Sequence, residues 1–500
     1  MALLPYVVAI PLGAAFLILL VGRRFKASSG VIAVSAVFCV TTLSLRIASM
    51  VATGKILCFK MGNWQPPFGI PLVADGLSAL MLVIASVVGL LVTIYSVGYI
   101  RVYTDRWKYY ALMMLMIAGI NGVLLTGDIF NLFVCLEIAS IATYALVAYG
   151  LEDESLEASF KYAVMSSVGS CFILLGIAFL YSFTSTLNMA DMASTLVSHR
   201  TDKVVYFVSA LFMMGFGLKA ALVPFHAWLP YAHSASPSPV SAMLSGVSIK
   251  VLGIYAIARI FYNVIGITPA VQSVIITFAV LSMITGAVLA FGQKDIKRVF
   301  AYSSISQIGF IALGLGISTP LGLTGAIFYL LNHSLFKSLL FLGAGSMERI
   351  TGTRDLSKMR NVIESSPLTG YATLIGALSI SGIPPFGGFW GKLLIIFSCL
   401  QAGRPVLAIV AVGVSALTIA YYFKALVPAL FGNDAAFRVA GIGGKRITFA
   451  MAAPMAVLAV LTAVAGLILL PGTANTLLKG SVAVLSSGIG YAESIFGAIR

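Results

Sequence analysis

Residues 215–233 read GFGLKAALVPFHAWLPYAH: an apolar run that carries a lysine, Lys219, and is broken five residues later by Pro224. An ionised side chain at mid-bilayer costs about 2.5–3.5 kcal/mol even on lenient insertion scales. Irregular backbone at that depth is tolerated only where it lines protein or water. A stretch holding both features is expected to cross a membrane and to turn its lysine and its break toward an interior.

The rest of the chain supports a membrane setting. Of 500 residues, 60% are hydrophobic and only 9% charged, with a mean hydropathy of +1.04. A soluble domain carries roughly a quarter charged residues. So sparse a set of charges cannot coat a water-facing surface, and lipid must solvate most of the outside. Long apolar runs alternate with short polar joints. They predict spans near residues 3–22, 30–50, 73–99, 109–126, 128–150, 160–184, 204–224, 237–260, 271–291, 299–317, 321–345, 366–398, 406–431 and 446–470. The expected fold is an all-α polytopic membrane protein of about 14 transmembrane helices. The 366–398 run is too long for one straight pass. It contains Gly382-Ile383-Pro384-Pro385-Phe386-Gly387-Gly388, which must break a helix. The tail after about residue 474 is expected to be either a fifteenth span or an interfacial helix. Met1–Leu20 lacks a basic start and a small-residue cleavage site, and reads as a first span.

The net charge of +15 does not indicate nucleic acid. The basic residues are scattered through short loops, with no basic run and no aromatic-basic stripe. Arg23, Arg24 and Lys26 follow span one; Arg101, Arg106 and Lys108 follow span three. Lys294, Lys297 and Arg298 follow span nine; Arg349, Arg354, Lys358 and Arg360 follow span eleven; Arg438, Lys445 and Arg446 follow span thirteen. Roughly 17 basic residues lie in these odd loops against about 9 on the other side. Both termini are therefore expected to face away from the cytoplasm. Five cysteines, Cys39, Cys58, Cys135, Cys171 and Cys399, form no C-x-x-C pair. They predict no disulfide frame, zinc site or iron–sulfur cluster.

Six charges fall inside predicted spans: Glu137, Lys219, Lys250, Lys337, Lys392 and Lys424. Left facing lipid they would cost on the order of 15–20 kcal/mol. They must face the bundle interior, pair, or sit along water. Lys424, after Tyr421-Tyr422-Phe423, has the alternative of snorkelling to an interface. For the others the alternative is a static buried ion pair, but lysines outnumber acids here by about five to one. A proton relay of one acid and several bases suits that imbalance. His333 shares a helix face with Lys337 four residues on, and its chemistry suits a shuttle. Pro224, and Pro384 with Pro385, place helix breaks beside Lys219 and Lys392. Pro224 is expected to free the carbonyl of Ala220. Ser166, Ser167 and Ser170, Ser303, Ser304, Ser306 and Gln307, and Asn332 either bridge waters between titratable sites or glue helices together. His226 and His233 are candidates for gating an aqueous entrance. Asp75, Asp128 and Glu152-Asp153-Glu154 read as charges at span ends or as partner contacts.

The proline-phenylalanine breaks in spans seven and twelve lie five spans apart, so units built around them would run in opposite directions. Several motifs then resemble a known family. They are Lys219 with Val223 to His233 (VPFHAWLPYAH), Ser236 to Ser241 (SPSPVS), Lys294 to Ser304 (KDIKRVFAYSS), Asn332 to Lys337 (NHSLFK) and Gly382 to Trp390 (GIPPFGGFW). Over about residues 75–430 they resemble the antiporter-like subunits of respiratory complex I and of multisubunit Mrp cation/proton antiporters. Lys392, where other members place a glutamate, and the joint Thr186 to Asp191 look like the Mrp D-type subunit. The resemblance implies two inverted five-helix repeats with broken helices seven and twelve. It divides the chain into helices 1–3 (1–108), a first repeat of helices 4–8 (109–260), a second of helices 9–13 (271–431), and helix 14 with the tail (446–500). It implies a proton path of Glu137, Lys219, Lys250, His333 and Lys392, to which the reading of the residues themselves adds Lys337, His226, His233, Ser303 and Ser304 as accessories.

The expectation is a proton-translocating subunit of an Mrp-type Na⁺/H⁺ antiporter, in a prokaryotic-type inner membrane. It would work with other membrane subunits, the bilayer, protons and Na⁺, with no cofactor, metal or catalytic residue of its own. One alternative is the same module pumping protons in complex I or a membrane-bound hydrogenase. Another is an inert membrane scaffold.

Overall fold

A chain that crosses lipid must satisfy its backbone hydrogen bonds within itself, and helices do this segment by segment. The computed structural model describes residues 3–25, 28–65, 68–432 and 447–499, and the chain is helical almost throughout. Lys26, Arg438, Lys445 and Arg446, the last of these being the first residue of the expected final segment, lie outside the described residues.

Among the described residues, twelve helices are long and apolar enough to cross a membrane. We label the elements α1 Leu4–Val21, α2 Ser28–Val51, β1 Leu57–Lys60, β2 Pro71–Ala74, α3 Gly76–Tyr99, α4 Arg106–Leu125, α5 Ile129–Val147, α6 Asp153–Thr184 and α7 Met189–Leu196. Next come α8 Lys203–Lys219, α9 Trp228–Ala235, α10 Ser238–Val264, α11 Pro269–Phe291, α12 Ile296–Ile317 and α13 Pro320–Thr351. The last are α14 Pro367–Ser381, α15 Gly387–Gln401, α16 Pro405–Phe431, α17 Phe449–Val464, α18 Thr473–Ser486 and α19 Tyr491–Ile499. Two further passes are split in two, α8 with α9 and α14 with α15. Twelve continuous and two broken passes are compatible with the expected fourteen. The broken pass is the fourth of five in α4–α10 and again in α11–α16. These two sets start at opposite ends of the bundle, as inverted repeats require.

Local chemistry fixes where passes begin. Asp75 caps α3: its carboxylate accepts from Ser78 N at 2.9 Å, and Ser78 Oγ accepts from Asp75 N at 2.8 Å. Asp128 caps α5 by accepting from Asn131 N, and Asp295 caps α12 by accepting from Lys297 N and Arg298 N. Pro269, Pro320, Pro367 and Pro405 each stand in a first helical turn, where the missing N–H costs nothing.

The two ends of the bundle differ. At one, the antiparallel hairpin β1–β2 pairs Leu57 with Ala74, and residues 126–128 bridge to it and to Asn188. The tail lies at this hairpin end. Ser481 Oγ donates to Gly76 O at 2.9 Å, and Asn263 Nδ2 donates to Val484 O at 2.7 Å. α18 and α19, of 14 and 9 residues, are too short to span, so the tail forms no fifteenth continuous span. The other, basic end gathers the loops after α3, α5, α11 and α13. There Asp295 bridges to Asp355, and Arg354 reaches Glu154.

α12 and α13 are buried almost end to end, as is α10, and they form the axis of the molecule. α1, α2, α6, α11 and α16 bury only one face. Their outer faces carry Phe16, Phe38, Phe160, Val288 and Ile409, all exposed as lipid-facing side chains would be.

Candidate functional site

Lys219 is the last residue of α8 because the backbone turns away just beyond it: Ala220 ends the helix and Ala221 takes a left-handed conformation with φ +56°. The loose backbone groups of this break find partners. Val223 N donates to Ser282 Oγ at 2.9 Å, and Trp228 Nε1 donates to Leu218 O at 3.2 Å. The helix thus ends before Pro224 can remove a bond from it. This corrects the expectation that Pro224 frees the Ala220 carbonyl within a continuous helix.

The ending aims the Lys219 ammonium across to α5 and α6. Its Nζ lies 3.1 Å from Glu137 Oε1, 3.1 Å from Ser140 Oγ and 2.6 Å from Ser166 Oγ. Ser170 Oγ donates to the same carboxylate. Ser167, grouped with these serines in the sequence, points outward and is exposed. The Lys219 side chain is 2% exposed and that of Glu137 23%. The pair therefore has a dry end and an open end.

The second break is built likewise. α14 stops at Ser381, and Gly382 takes φ +78°. Gly388 follows where a Cβ would overlap Ser379 O, so only glycine lets α15 start so close. From α15, Lys392 Nζ reaches back to Ile380 O at 2.8 Å and lies 5.1 Å from the Phe310 ring.

Between the two breaks lie Lys250 and Lys337. α10 is wound partly as a π-helix, over 244–248, 250–255 and 259–264. Such wide turns expose carbonyls and recur at functional sites. Lys250 Nζ donates to the Ser245 carbonyl, and Ser245 Oγ lies 2.8 Å from Ser304 Oγ on α12. Lys337 Nζ donates to Phe300 O at 2.7 Å, Ser303 Oγ at 3.0 Å and Tyr422 OH at 3.4 Å. One turn away, His333 is fully buried, and neither ring nitrogen has a hydrogen-bond partner among the described residues. It lies within electrostatic reach of Lys250, Lys337 and Lys392. Among the described residues, Lys219 alone of these four lysines meets a carboxylate. The others are held by carbonyls and hydroxyls. A hydroxyl accepts from an ammonium and donates to a neutral amine, so it serves either protonation state.

Three further placements matter. His233 is buried and stacks on Phe341 at 4.5 Å, whereas His226 is half-buried beside the break. The two histidines stand toward opposite ends of α9. Lys424 is exposed and donates to Phe291 O at 3.1 Å; it lies outside the buried row.

The sequence reading missed two buried charge clusters. Arg259 meets Asp75 through both guanidinium nitrogens, at 2.8 and 3.0 Å, and Tyr491 of the tail lies 4.9 Å from the guanidinium carbon. The signal was a lone arginine in the apolar run IARIFYNVIG, residues 257–266. At the basic end, Lys297 reads as a loop charge but is buried in the first turn of α12. It lies 3.0 Å from Glu348 and 3.4 Å from Ser236 O. Ser236 Oγ meets Ser241 Oγ at 2.8 Å, and Ser241 donates to His233 O at 3.1 Å. Arg354 links Glu154 at 3.1 Å to Asp295 at 3.5 Å. Burial pushes the Asp295 carboxyl up, and the Arg298 amide and Arg354 charge offset only part of this. Among the described residues, no cluster of three His, Cys, Asp or Glu side chains could hold a metal.

Comparison with known proteins places this geometry. Residues 126–418 match the family described as NADH:quinone oxidoreductase/Mrp antiporter, transmembrane. Residues 59–110 match the N-terminal region of NADH-ubiquinone oxidoreductase (complex I) chain 5. The chain is 36% identical over 433 residues to the D-type subunit of the Na⁺/H⁺ antiporter of Alkalihalophilus pseudofirmus, covering 86% of each. It is 37% identical over 414 residues to the N-type subunit of the NADH-quinone oxidoreductase of Desulforudis audaxviator, covering 82% of each. Among solved structures, a chain of the Mrp complex from Dietzia superimposes with a TM-score of 0.90 at 30% identity, over 100% of this chain and 99% of that one.

Proposed function

Because the chain belongs to the NADH:quinone oxidoreductase/Mrp antiporter family of membrane subunits, we propose that it is the proton-translocating, D-type antiporter-like subunit of a multisubunit Mrp-type Na⁺/H⁺ antiporter. The observation that carries the reading is the Glu137–Lys219 pair at the break of α8. It stands at one end of a row of lysines that lack carboxylate partners among the described residues.

In this reading the proton path is Glu137, Lys219, Lys250, His333 and Lys392, with Lys337 beside His333. Lys219 holds a proton while it faces Glu137. Loss of that contact leaves a dry ammonium without a counter-ion, which favours release to the next base. Ser303 Oγ serves Lys337 in either protonation state, the π-turn carbonyl of Ser245 accepts from Lys250, and Ser304 joins the two segments through Ser245 Oγ. The Glu348–Lys297–Ser236–Ser241 chain toward His233 serves as the mouth at the basic end. In this reading that end faces the cytoplasm and both termini face away from it, as the excess of basic residues in those loops supports.

A second reading, a proton-pumping subunit of a redox complex, is favoured by the similarity to the NADH-quinone oxidoreductase relative. Purification of the intact complex in mild detergent, with mass spectrometry of its subunits and Na⁺-driven proton movement in proteoliposomes, separates the two. Small antiporter partners and Na⁺-dependent exchange are expected. Iron–sulfur or quinone-reductase partners, with no Na⁺ dependence, would replace the first reading by the second.

A further inference from the structure

Lys424 has no place in the proton row, and its surroundings suggest another use. It stands on the outer face of α16 beside a groove of about 190 Å³ between the end of α11, the loop after α13, and α16. Three basic side chains from these separate elements line the groove: Lys294, Arg360 and Lys424. Gln293 and Ser357 add neutral polar groups, and among the described residues no aspartate or glutamate lines it. Among the described residues none of the three cations is in a salt bridge. Asp355, the acid nearby, is engaged with Lys358 at 3.9 Å and with Ser357.

Asp355 offsets the Lys294 charge in part, but converging cations still repel one another, and an anion placed among them removes that cost. Toward mid-membrane the two helices that flank the groove carry exposed apolar side chains: Ile284 and Val288 on α11, Ile419 and Phe423 on α16. A ligand that fits both parts has an anionic head and hydrocarbon chains. Lys424 is poised for this, with its ammonium 4.1 Å from the centre of the Phe291 ring and donating to Phe291 O at the end of α11.

We infer that the groove formed by Lys294, Arg360 and Lys424 is a binding site for the phosphate head group of an anionic phospholipid, whose chains lie along α11 and α16. A free phosphate shares the head-group chemistry but makes no use of the apolar approach.

The test uses the intact complex, exchanged into detergent with fluorescent phosphatidylglycerol or phosphatidylcholine. Phosphatidylglycerol is expected to bind with preference, and Lys294→Gln/Arg360→Gln/Lys424→Gln to weaken it by on the order of a hundredfold, near fivefold per charge removed. The exposed single variant Lys424→Gln should weaken binding about fivefold and Lys424→Arg should retain it. Size-exclusion chromatography selects assembled complex in each case. Equal binding of phosphatidylcholine, unchanged binding by the triple variant, or full displacement by millimolar inorganic phosphate would overturn the assignment. So would protection of the three residues by a neighbouring subunit with no bound lipid.

Discussion

Each buried charge in this chain is handled by a different local device, and the device decides what the charge can do. Arg259 and Asp75 are locked together by two short contacts, with Asn263 Oδ1 at 3.2 Å and Tyr255 OH at 3.1 Å accepting from the same two terminal guanidinium nitrogens. A pair so enclosed is static. Arg259→Ala leaves Asp75 charged and dry, which should destabilise the protein by about 3–5 kcal/mol. The unfolding midpoint of the detergent-solubilised complex should fall sharply, and pairing Asp75→Asn with Arg259→Met should restore much of it. Lys219 is held differently, by one carboxylate and two hydroxyls. Glu137 is part-open, so that contact can be made and broken. The sequence put Glu137 and Lys219 inside spans, but left Asp75 as a span-end charge and Arg259 unremarked. It could not join these two, because they lie 184 positions apart and only the fold pairs them. The same limit hid the Lys297–Glu348 pair. Lys297 looks like a loop residue until α12 is seen to start one position earlier.

At the scale of elements, the two broken passes were the most legible feature. Proline and glycine cannot continue a helix through membrane depth unnoticed. What sequence misjudged was the kind of break. α8 ends at Lys219, four residues before Val223-Pro224, because Ala221 adopts φ +56°. That conformation costs a residue with a Cβ about 1–2 kcal/mol. Ala221→Gly should therefore stabilise the complex by up to about 1 kcal/mol, the gain being trimmed by the greater freedom of glycine when unfolded. A β-branched Ala221→Val should destabilise it. A thermal midpoint that moves the other way in both variants would mean the turn is held by tertiary contacts alone. The π-wound α10 had no sequence signal, since no proline marks it. Its close packing is visible only in the structure: a Cβ at Gly253 would lie 2.5 Å from the Ala220 backbone, and one at Gly246 would overlap Ser338 Oγ.

The whole molecule sets these parts in one row. The axis α10, α12 and α13 is buried along its length and carries Lys250, Ser303, Ser304, His333 and Lys337, while the two broken passes bring Lys219 and Lys392 to it. Hydropathy predicted the passes because lipid imposes length and apolarity on each. It could not predict the hairpin end, where two short strands and the tail meet residues from α3, α5 and α10 through polar contacts. It left Lys424 with two places, the interior or an interface. Only the packing of α16 against α11 shows that this side chain faces outward.

The proposed function turns on Glu137 being a proton-carrying group rather than half of a structural ion pair. Inverted membrane vesicles containing the assembled complex, with a pH-sensitive dye and added Na⁺, test this on Glu137→Asp, Glu137→Gln and Glu137→Ala side by side. Aspartate keeps a titratable carboxyl and should retain a large part of the Na⁺-dependent proton movement. Glutamine and alanine should abolish it while assembly is unchanged. Equal proton movement in all three assembled variants would refute a carrier role for Glu137 and leave the row of lysines as scaffolding.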